Sequence, residues 1–376
     1  MELEKLKLSQ KKCNVVHIGK SEVNCPILKV HGENMNRSKQ ETYLGDKIDS
    51  SGKLKPTIKS RISRGYGALN YILAITNGVP LADCRIRAGL KLREALLINC
   101  ILFNSEAWQG VTKSEIEMLE KVDEDLLRGI PTEVLYLETG SLPIRFILKC
   151  RRISYLQTIL KRNPEELIAE IYNVQKNDPI KGDFYDLVMQ DLESIDLKIT
   201  ENEITLMKKA KFKNIVKKKV REAALRYLKQ LQQDHSKAKA IKYEKLEISH
   251  YLESPIFTSD NAKLLLALRT RTVNGIRTDF GNMFNTMFCP LCGEHLDTLS
   301  NLLQCDILRA QQRTDNVSRN NVSYSDVYSN DILKQKEITE LYSEILRIRE
   351  ELINRTPVAI TGPVHSFART TYIITK

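Results

Sequence analysis

Three cysteines in the carboxy-terminal part of the chain have the spacing of a small metal site. They are Cys289, Cys292 and Cys305, within the stretch CPLCGEHLDTLSNLLQC. Two thiolates separated by two residues can bind one zinc ion from a tight turn, but a tetrahedral zinc site needs a fourth ligand. His295 is the only imidazole nearby, and Asn301, which would share a helix face with Cys305, is a poor zinc ligand.

Two interpretations of this stretch remain open. In the first, the three thiolates hold zinc, and His295 or a water molecule completes the coordination. In the second, the site has lost its metal, and the segment only packs through its apolar side chains, which are Phe288, Leu291, Leu302 and Leu303.

The segment 204–233 is a predicted helix with one apolar face and an excess of positive charge. Its apolar positions recur every three to four residues, at Phe212, Val216, Val220, Ala223, Tyr227 and Leu231. A run of charged residues is usually a solvated helix face, and that interpretation is favoured when positive and negative charges alternate. Here few acids oppose the cations, so the interpretation is less favoured. We therefore expect phosphate-backbone contacts, which position a nucleic acid without reading its sequence. The candidate contact residues are Lys208, Lys209, Lys211, Lys213, Lys217, Lys218, Lys219, Arg221 and Arg226.

The overall composition also favours a polyanionic partner. The 376 residues carry a formal net charge of +11 and have a pI near 9.1. Because Lys and Arg release condensed counterions when they meet phosphates, nucleic acid is the first candidate and an anionic membrane the second. The longest apolar run, residues 95–103, is only about half a bilayer span, and the amino terminus has no signal-peptide pattern. We expect a nuclear or cytoplasmic protein, no membrane association and reduced cysteines.

The periodicity predicts a mainly helical chain with a small β element at its amino-terminal end. Strand patterns are confined to residues 13–48, as CNVVHIG and CPILKVHG, followed by the turns of ETYLGDKIDSSGK at 41–53. These predict a small antiparallel sheet. From Pro56 onward the apolar period is that of a helix. Helices are predicted at 92–108, 112–130 (with a Thr112–Glu115 capping box), 143–162, 164–177, 182–197, 204–233 and 340–355.

An ordered set of motifs resembles one known family. The motifs are YLGDKI (43–48), NSEAW (104–108), IEMLEKVDEDLLRGI (116–130), LYLETGSLPIRF (135–146), RRISYLQTIL (151–160) and the late CPLC. In this order they resemble the carboxy-terminal half of reverse transcriptases from non-LTR retrotransposons, over about residues 10–310. The resemblance implies an RNA and DNA template–primer duplex as partner, with Tyr43, Leu44 and Gly45 as a primer-grip-like turn. The family's knuckle has a histidine where this chain has Asn301.

The resemblance also implies a domain organisation. It gives a remnant of the palm edge with primer-grip strands at 1–55, a thumb-like helical domain at 56–178 and a basic helical linker at 179–285. A zinc-knuckle-like module at 286–310 and a helical tail at 311–376 follow.

We predict no catalytic residue in this chain. Polymerase chemistry needs two metal ions held by carboxylates, and the family supplies an adjacent Asp-Asp pair, a dipeptide that this sequence lacks. We expect a truncated copy without its own polymerase site, so Mg²⁺ is expected only for the full-length family enzyme. The acids Asp123, Glu124 and Asp125 are expected to pair on the surface with Lys121 and Arg128. The alternative is a helical protein–protein interaction scaffold with no nucleic-acid role; no small-molecule ligand is indicated.

Overall fold

The computed structural model describes residues 14–18, 27–30, 32–43, 45–78, 85–125, 132–234, 241–271, 273, 288–295, 298–314 and 323–355. Within these residues the chain is mainly helical, with small sheets confined to its amino-terminal part. The predicted fold class is therefore confirmed.

The amino-terminal strands form three separate two-stranded sheets. The strands are β1 (Asn14–Val15), β2 (Lys29–Val30), β3 (Glu33–Asn34), β4 (Asn36–Arg37), β5 (Gln40–Tyr43) and β6 (Asp46–Asp49). β2 with β3 and β5 with β6 are antiparallel, whereas β1 pairs parallel with β4, so the prediction of one antiparallel sheet is wrong. None of the described residues in 14–49 whose burial is given is buried, so this part of the chain shows no core that unites the strands.

The β5–β6 hairpin turns where the sequence predicts. Gly45 has a φ of +90°, a conformation that glycine adopts without steric cost. Tyr43 lies directly opposite Asp46 in the ladder. Leu44 lies outside the described residues.

Fifteen α-helices follow in the described part of the chain, along with a π-helical segment and two short 3₁₀ turns. The helices are α1 (Lys55–Gly78), α2 (Arg85–Leu92), α3 (Asn99–Ile101), α4 (Lys113–Glu124), α5 (Thr132–Thr139), α6 (Ile144–Leu160), α7 (Leu167–Asn177), α8 (Phe184–Ser194), α9 (Glu201–Leu206), α10 (Lys209–Asp234), α11 (His250–Glu253), α12 (Ser259–Thr270), α13 (Leu299–Leu302), α14 (Asp306–Thr314) and α15 (Ile332–Arg355). The π-helical segment is Arg93–Ile98, and the 3₁₀ turns are Ser105–Ala107 and Tyr324–Tyr328.

Two predicted helices differ from the observed ones for local backbone reasons. The helix predicted at 92–108 ends at Ile101, because Asn104 adopts the left-handed conformation with a φ of 58°. The helix predicted at 204–233 is divided, since Met207 is extended between α9 and α10. The capping box of Thr112 and Glu115 forms as predicted.

The buried side chains form two hydrophobic cores. The smaller one contains residues between 58 and 148, chiefly from α1, the π-helical segment, α3 and α4. The larger one contains residues between 134 and 348. Side chains from both sides of the predicted boundaries at 178/179, 285/286 and 310/311 belong to this larger core.

A buried ion pair in the smaller core joins the π-helical segment to α4. The guanidinium of Arg93 donates from Nε to Asp123 at 2.6 Å and also to the carbonyl oxygen of Leu142 at 3.1 Å. The hydroxyl of Tyr136 donates to the same carboxylate at 2.8 Å. Burial and the negative Asp123 raise the pKa of Tyr136 well above its ordinary value. The prediction that Asp123 pairs on the surface is wrong, because Arg93 reaches it from another helix inside the core.

A second buried ion pair joins distant parts of the larger core. Glu138 is fully buried and accepts hydrogen bonds from Arg269 Nε at 2.9 Å and from the Tyr243 hydroxyl at 2.6 Å. The Ser249 hydroxyl donates to its other oxygen. Arg269 in turn donates to the carbonyl of Val327 at 2.9 Å. Glu138 is thus the meeting point of four chain segments that are far apart in sequence.

Gly140 allows the chain to pass close to the segment 247–248. Its φ is +62°, and a Cβ placed on it would lie 2.5 Å from the backbone of Glu247 and of Ile248. Gly140→Ala is therefore expected to lower the free energy of unfolding by about 2–3 kcal/mol through strain and overpacking.

Urea unfolding of the purified chain measures this effect, and Gly67→Ala is the matched control. Gly67 lies inside α1 with nothing within 4 Å of its added Cβ. That change should instead stabilise by about 0.5–1 kcal/mol, since alanine is the better helix former. Equal effects of the two substitutions would contradict the close approach at Gly140.

Candidate metal centre and basic grooves

The three predicted cysteines come together in space. The Sγ atoms of Cys289 and Cys305 are 3.9 Å apart, and the three sulfurs all lie within 4.8 Å of one another. Cys289 and Cys305 are buried, and Cys292 is partly exposed. Three sulfurs at these separations could hold one metal ion.

Local backbone geometry positions the first two thiols. The Gly293 N–H donates to the carbonyl of Cys289 at 2.9 Å, and Gly293 has a φ of +68°. The Cys289 N–H donates to the carbonyl of His295 at 2.6 Å, which closes the turn. Cys305 precedes α14, and its carbonyl accepts the N–H of Arg309 at 2.9 Å.

Backbone N–H groups also tune two of the thiols. Burial opposes ionisation of Cys292, but hydrogen bonds from the N–H groups of His295 and Glu294 outweigh it and lower the pKa of this thiol. For Cys305, burial dominates and raises the pKa to about 11, although the N–H of Leu308 favours the thiolate. A cation bound among the sulfurs would favour all three thiolates, because metal binding displaces thiol protons.

The candidate fourth ligand His295 does not complete the site. Among the described residues, no His, Asp or Glu places a ligand atom with the three sulfurs, so the His295 imidazole is not part of the cluster. Asn301 lies one helical turn before Cys305, and its carbonyl accepts the Cys305 N–H at 3.1 Å. The packing prediction is right for Leu302, which is buried, but wrong for Phe288, which is 54% exposed.

The predicted apolar face of α10 is confirmed. Phe212, Val216, Val220 and Ala223 are buried in the larger core. All but one of the predicted contact residues are exposed: Lys208, Lys209, Lys211, Lys213, Lys217, Lys218, Arg221 and Arg226.

Two of the predicted basic residues have partners within the protein. Lys219 is partly buried and pairs with Glu222 at 3.8 Å. Arg221 donates to the carbonyls of Gly140 at 3.1 Å and Leu246 at 2.7 Å. Arg221 therefore fixes α10 against neighbouring segments, and a nucleic acid would have to compete for it.

Three lysines of α10 line a groove against α6, which we call the lysine groove. Lys209, Lys213 and Lys217 are spaced four residues apart along one side of the helix. The opposite wall carries Arg151 and Thr158, and the groove has a volume of about 450 Å³. One carboxylate, that of Glu106, also lines it.

A second basic groove lies between the β5–β6 hairpin and α1, and sequence reasoning missed it. We call it the hairpin groove. Its volume is about 700 Å³, and none of the described residues that line it carries a carboxylate. Its cations are Lys47, Lys53, Lys55, Lys59 and Arg64, accompanied by Gln40, Ser51, Ser60 and Ser63. The one-turn spacing of Lys55 and Lys59 was readable in the sequence, but their meeting with Lys47 depends on how the hairpin folds onto α1.

The turn predicted to be primer-grip-like, which contains Tyr43 and Gly45, lies beside the hairpin groove. Tyr43 is 65% exposed. A Cβ placed on Gly45 would lie 3.5 Å from the guanidinium groups of both Arg61 and Arg64. The turn therefore lies next to positive charge.

Comparison of the chain with protein-family models, with curated proteins and with solved structures finds no match. Among the described residues, no helix combines the length and the apolar character that crossing a bilayer requires.

Proposed function

We propose that this protein binds nucleic acid along its phosphodiester backbone, in the hairpin groove and the lysine groove. The observation that carries the proposal is the lining of the hairpin groove, where the described residues contribute five cations and three serine hydroxyls and no carboxylate. Phosphate oxygens are the ligands that match such donors, because they accept from ammonium, guanidinium and hydroxyl groups alike.

The lysine groove supports the same conclusion. Residues four apart on a helix are separated by a rise of about 6 Å, which is comparable to the separation of neighbouring phosphates along a strand. Lys209, Lys213 and Lys217 could therefore each meet a successive phosphate.

The motif order supports a specific role for this binding. We infer that the chain is the thumb, linker and knuckle part of a non-LTR retrotransposon reverse transcriptase, which holds an RNA–DNA template–primer duplex. The carboxylates of Asp123 and Glu138 are occupied in buried ion pairs and are not available to hold catalytic magnesium. Because the sequence also lacks the family's adjacent Asp-Asp pair, we infer that the chain grips nucleic acid without extending it.

A salt titration of binding to an RNA–DNA duplex tests the proposal. The logarithm of the association constant should fall linearly with the logarithm of salt concentration, with a slope of about −0.9 per phosphate contact on duplex. Six such contacts correspond to a loss of roughly 10³-fold between 50 and 200 mM salt. Binding that does not depend on salt would overturn the assignment of both grooves.

We further propose that Cys289, Cys292 and Cys305 bind a metal ion, that this ion is zinc, and that it has a structural role. Thiolates prefer soft or borderline ions, and zinc thiolate bonds of about 2.3 Å place neighbouring sulfurs at separations like the observed one.

Zinc binding has a direct measurement. One zinc ion per chain is expected by elemental analysis, and Cys305→Ser should abolish it. Free zinc at a hundred-fold excess over its Kd should stabilise the protein by roughly 2.7 kcal/mol. Cys150→Ser, which removes a thiol outside the cluster, is the control and should retain the metal. Zinc retained by Cys305→Ser would contradict the site.

A further inference from the structure

Phe103 lies exposed on the turn that follows α3, and contacts from Arg61 and Asn104 hold this turn in place. Half of its surface is accessible, and it follows α3 just before the left-handed Asn104. The guanidinium carbon of Arg61 lies 4.8 Å from the centroid of its ring. One face of the ring is therefore covered by a cation while much of the side chain remains open to solvent.

The cation beneath the ring is itself held in place. Arg61 is 3% exposed, and its Nε donates to Asp46 at 3.2 Å. The other oxygen of Asp46 accepts from Asn104 Nδ2 at 2.9 Å. The hairpin, α1 and the turn that carries Phe103 are thus joined through one carboxylate.

A second exposed aromatic residue lies on the same side of the hairpin. Tyr43 is the cross-strand partner of Asp46, and directly paired residues point to the same face of a hairpin. The side chain of Asp46 points toward Arg61 and Asn104. Tyr43 is therefore on the face that Phe103 occupies.

Residues near Phe103 connect it with both basic grooves. Arg61, which contacts the ring, and Arg64, which lines the hairpin groove, would each lie 3.5 Å from a Cβ placed on Gly45. Glu106, three residues after Phe103, lines the lysine groove.

We propose that Phe103 stacks an unpaired nucleobase of the bound strand, with Tyr43 as a second aromatic surface. The inference rests on the proposed nucleic-acid binding and extends it to single-stranded segments. Single exposed aromatic residues are common on protein surfaces. Proteins that bind single strands combine an aromatic ring, on which bases stack, with a positively charged groove that follows the backbone. Here Phe103, held in place by Arg61, supplies the ring, and the two basic grooves supply the positive charge.

The test compares two single-stranded oligonucleotides of equal length and charge, one with bases and one abasic at the central positions. Phe103→Ala should weaken binding of the base-bearing strand by about 5- to 100-fold and leave the abasic strand unchanged. A 2-aminopurine base at the same position should lose its quenching on binding to the variant. Phe103→Tyr should retain the preference for the base-bearing strand and the quenching of 2-aminopurine. Phe103→Leu, which keeps an apolar side chain above Arg61, should lose both, and it replaces Phe103→Ala as the test variant where the alanine variant does not fold.

The outcomes separate this inference from the proposed function. Equal weakening of both strands by Phe103→Leu, or no weakening of either, would overturn base stacking. Lys213→Gln should weaken both strands equally, because it removes a phosphate contact. Suppose that Lys213→Gln and the same substitution at Lys209 and Lys217 weaken neither strand, while the Phe103 variants weaken only the base-bearing strand. The lysine groove assignment would then fail and the stacking site would stand.

Discussion

Glu138→Ala is expected to lower the free energy of unfolding by about 3–5 kcal/mol, because it leaves the buried Arg269 guanidinium without its counter-charge. The environment of Glu138 makes a large effect unavoidable. It is fully buried, and the phenol of Tyr243 loses its acceptor at the same time. Urea unfolding followed by circular dichroism measures the change.

Two further variants separate the charge from the shape of this site. Glu138→Gln keeps the volume but removes the charge, so it should destabilise less than alanine. Combining Glu138→Leu with Arg269→Met removes both charges and should recover much of the loss. Glu117, which pairs with Lys113 on the surface at 3.8 Å, is the control, and Glu117→Ala should change stability by less than about 1 kcal/mol. A Glu138→Ala effect no larger than that control would show that the buried pair has no structural role.

The triple variant Lys209→Gln, Lys213→Gln and Lys217→Gln is expected to reduce the salt dependence of duplex binding. Each lost phosphate contact should lower the slope by about 0.9, so three contacts correspond to about 2.7. Affinity near 0.1 M salt should fall by two orders of magnitude or more, since each contact contributes on the order of 1 kcal/mol in this range. Fluorescence anisotropy at four or five salt concentrations gives both quantities.

A matched control removes the same net charge elsewhere. Lys113, Lys263 and Lys336 lie on α4, α12 and α15, and each pairs with an acid of its own helix. Their replacement by glutamine should leave the slope nearly unchanged. A loss equal to that of the groove variant would mean that binding follows total charge and not the lysine groove.

The helical fold could be predicted because its signals are local. The stripe at Phe212, Val216 and Val220 and the capping box at Thr112 each depend on residues three or four apart. The cysteine cluster was also predictable, since Cys289 and Cys292 share one turn. The start of α7 at Leu167, three residues later than predicted, depends on an extended Glu166 that no local pattern indicates.

The rest depends on contacts between residues far apart in sequence. Arg93 and Asp123 look like surface charges on two helices until the helices pack and enclose them. The hairpin groove draws its cations from β6, the following loop and α1, so no single stretch reveals it. Phe103 lies in an apolar run that was predicted to form a buried helix, so its exposure could not be read from the sequence.

The π-helical segment Arg93–Ile98 determines how the residues before it, 85–92, are rotated about the helix axis relative to the residues after it, 99–101. A π turn takes in about one residue more than an α turn, so residues before and after it point about 100° away from where a regular helix would place them. Deleting one residue there would restore a regular helix and rotate Arg93 about the helix axis, away from its present partners Asp123 and Leu142. Length variation in this short stretch is thus far less tolerable than in an exposed loop, and an insertion or deletion there would disrupt the smaller core more than most substitutions.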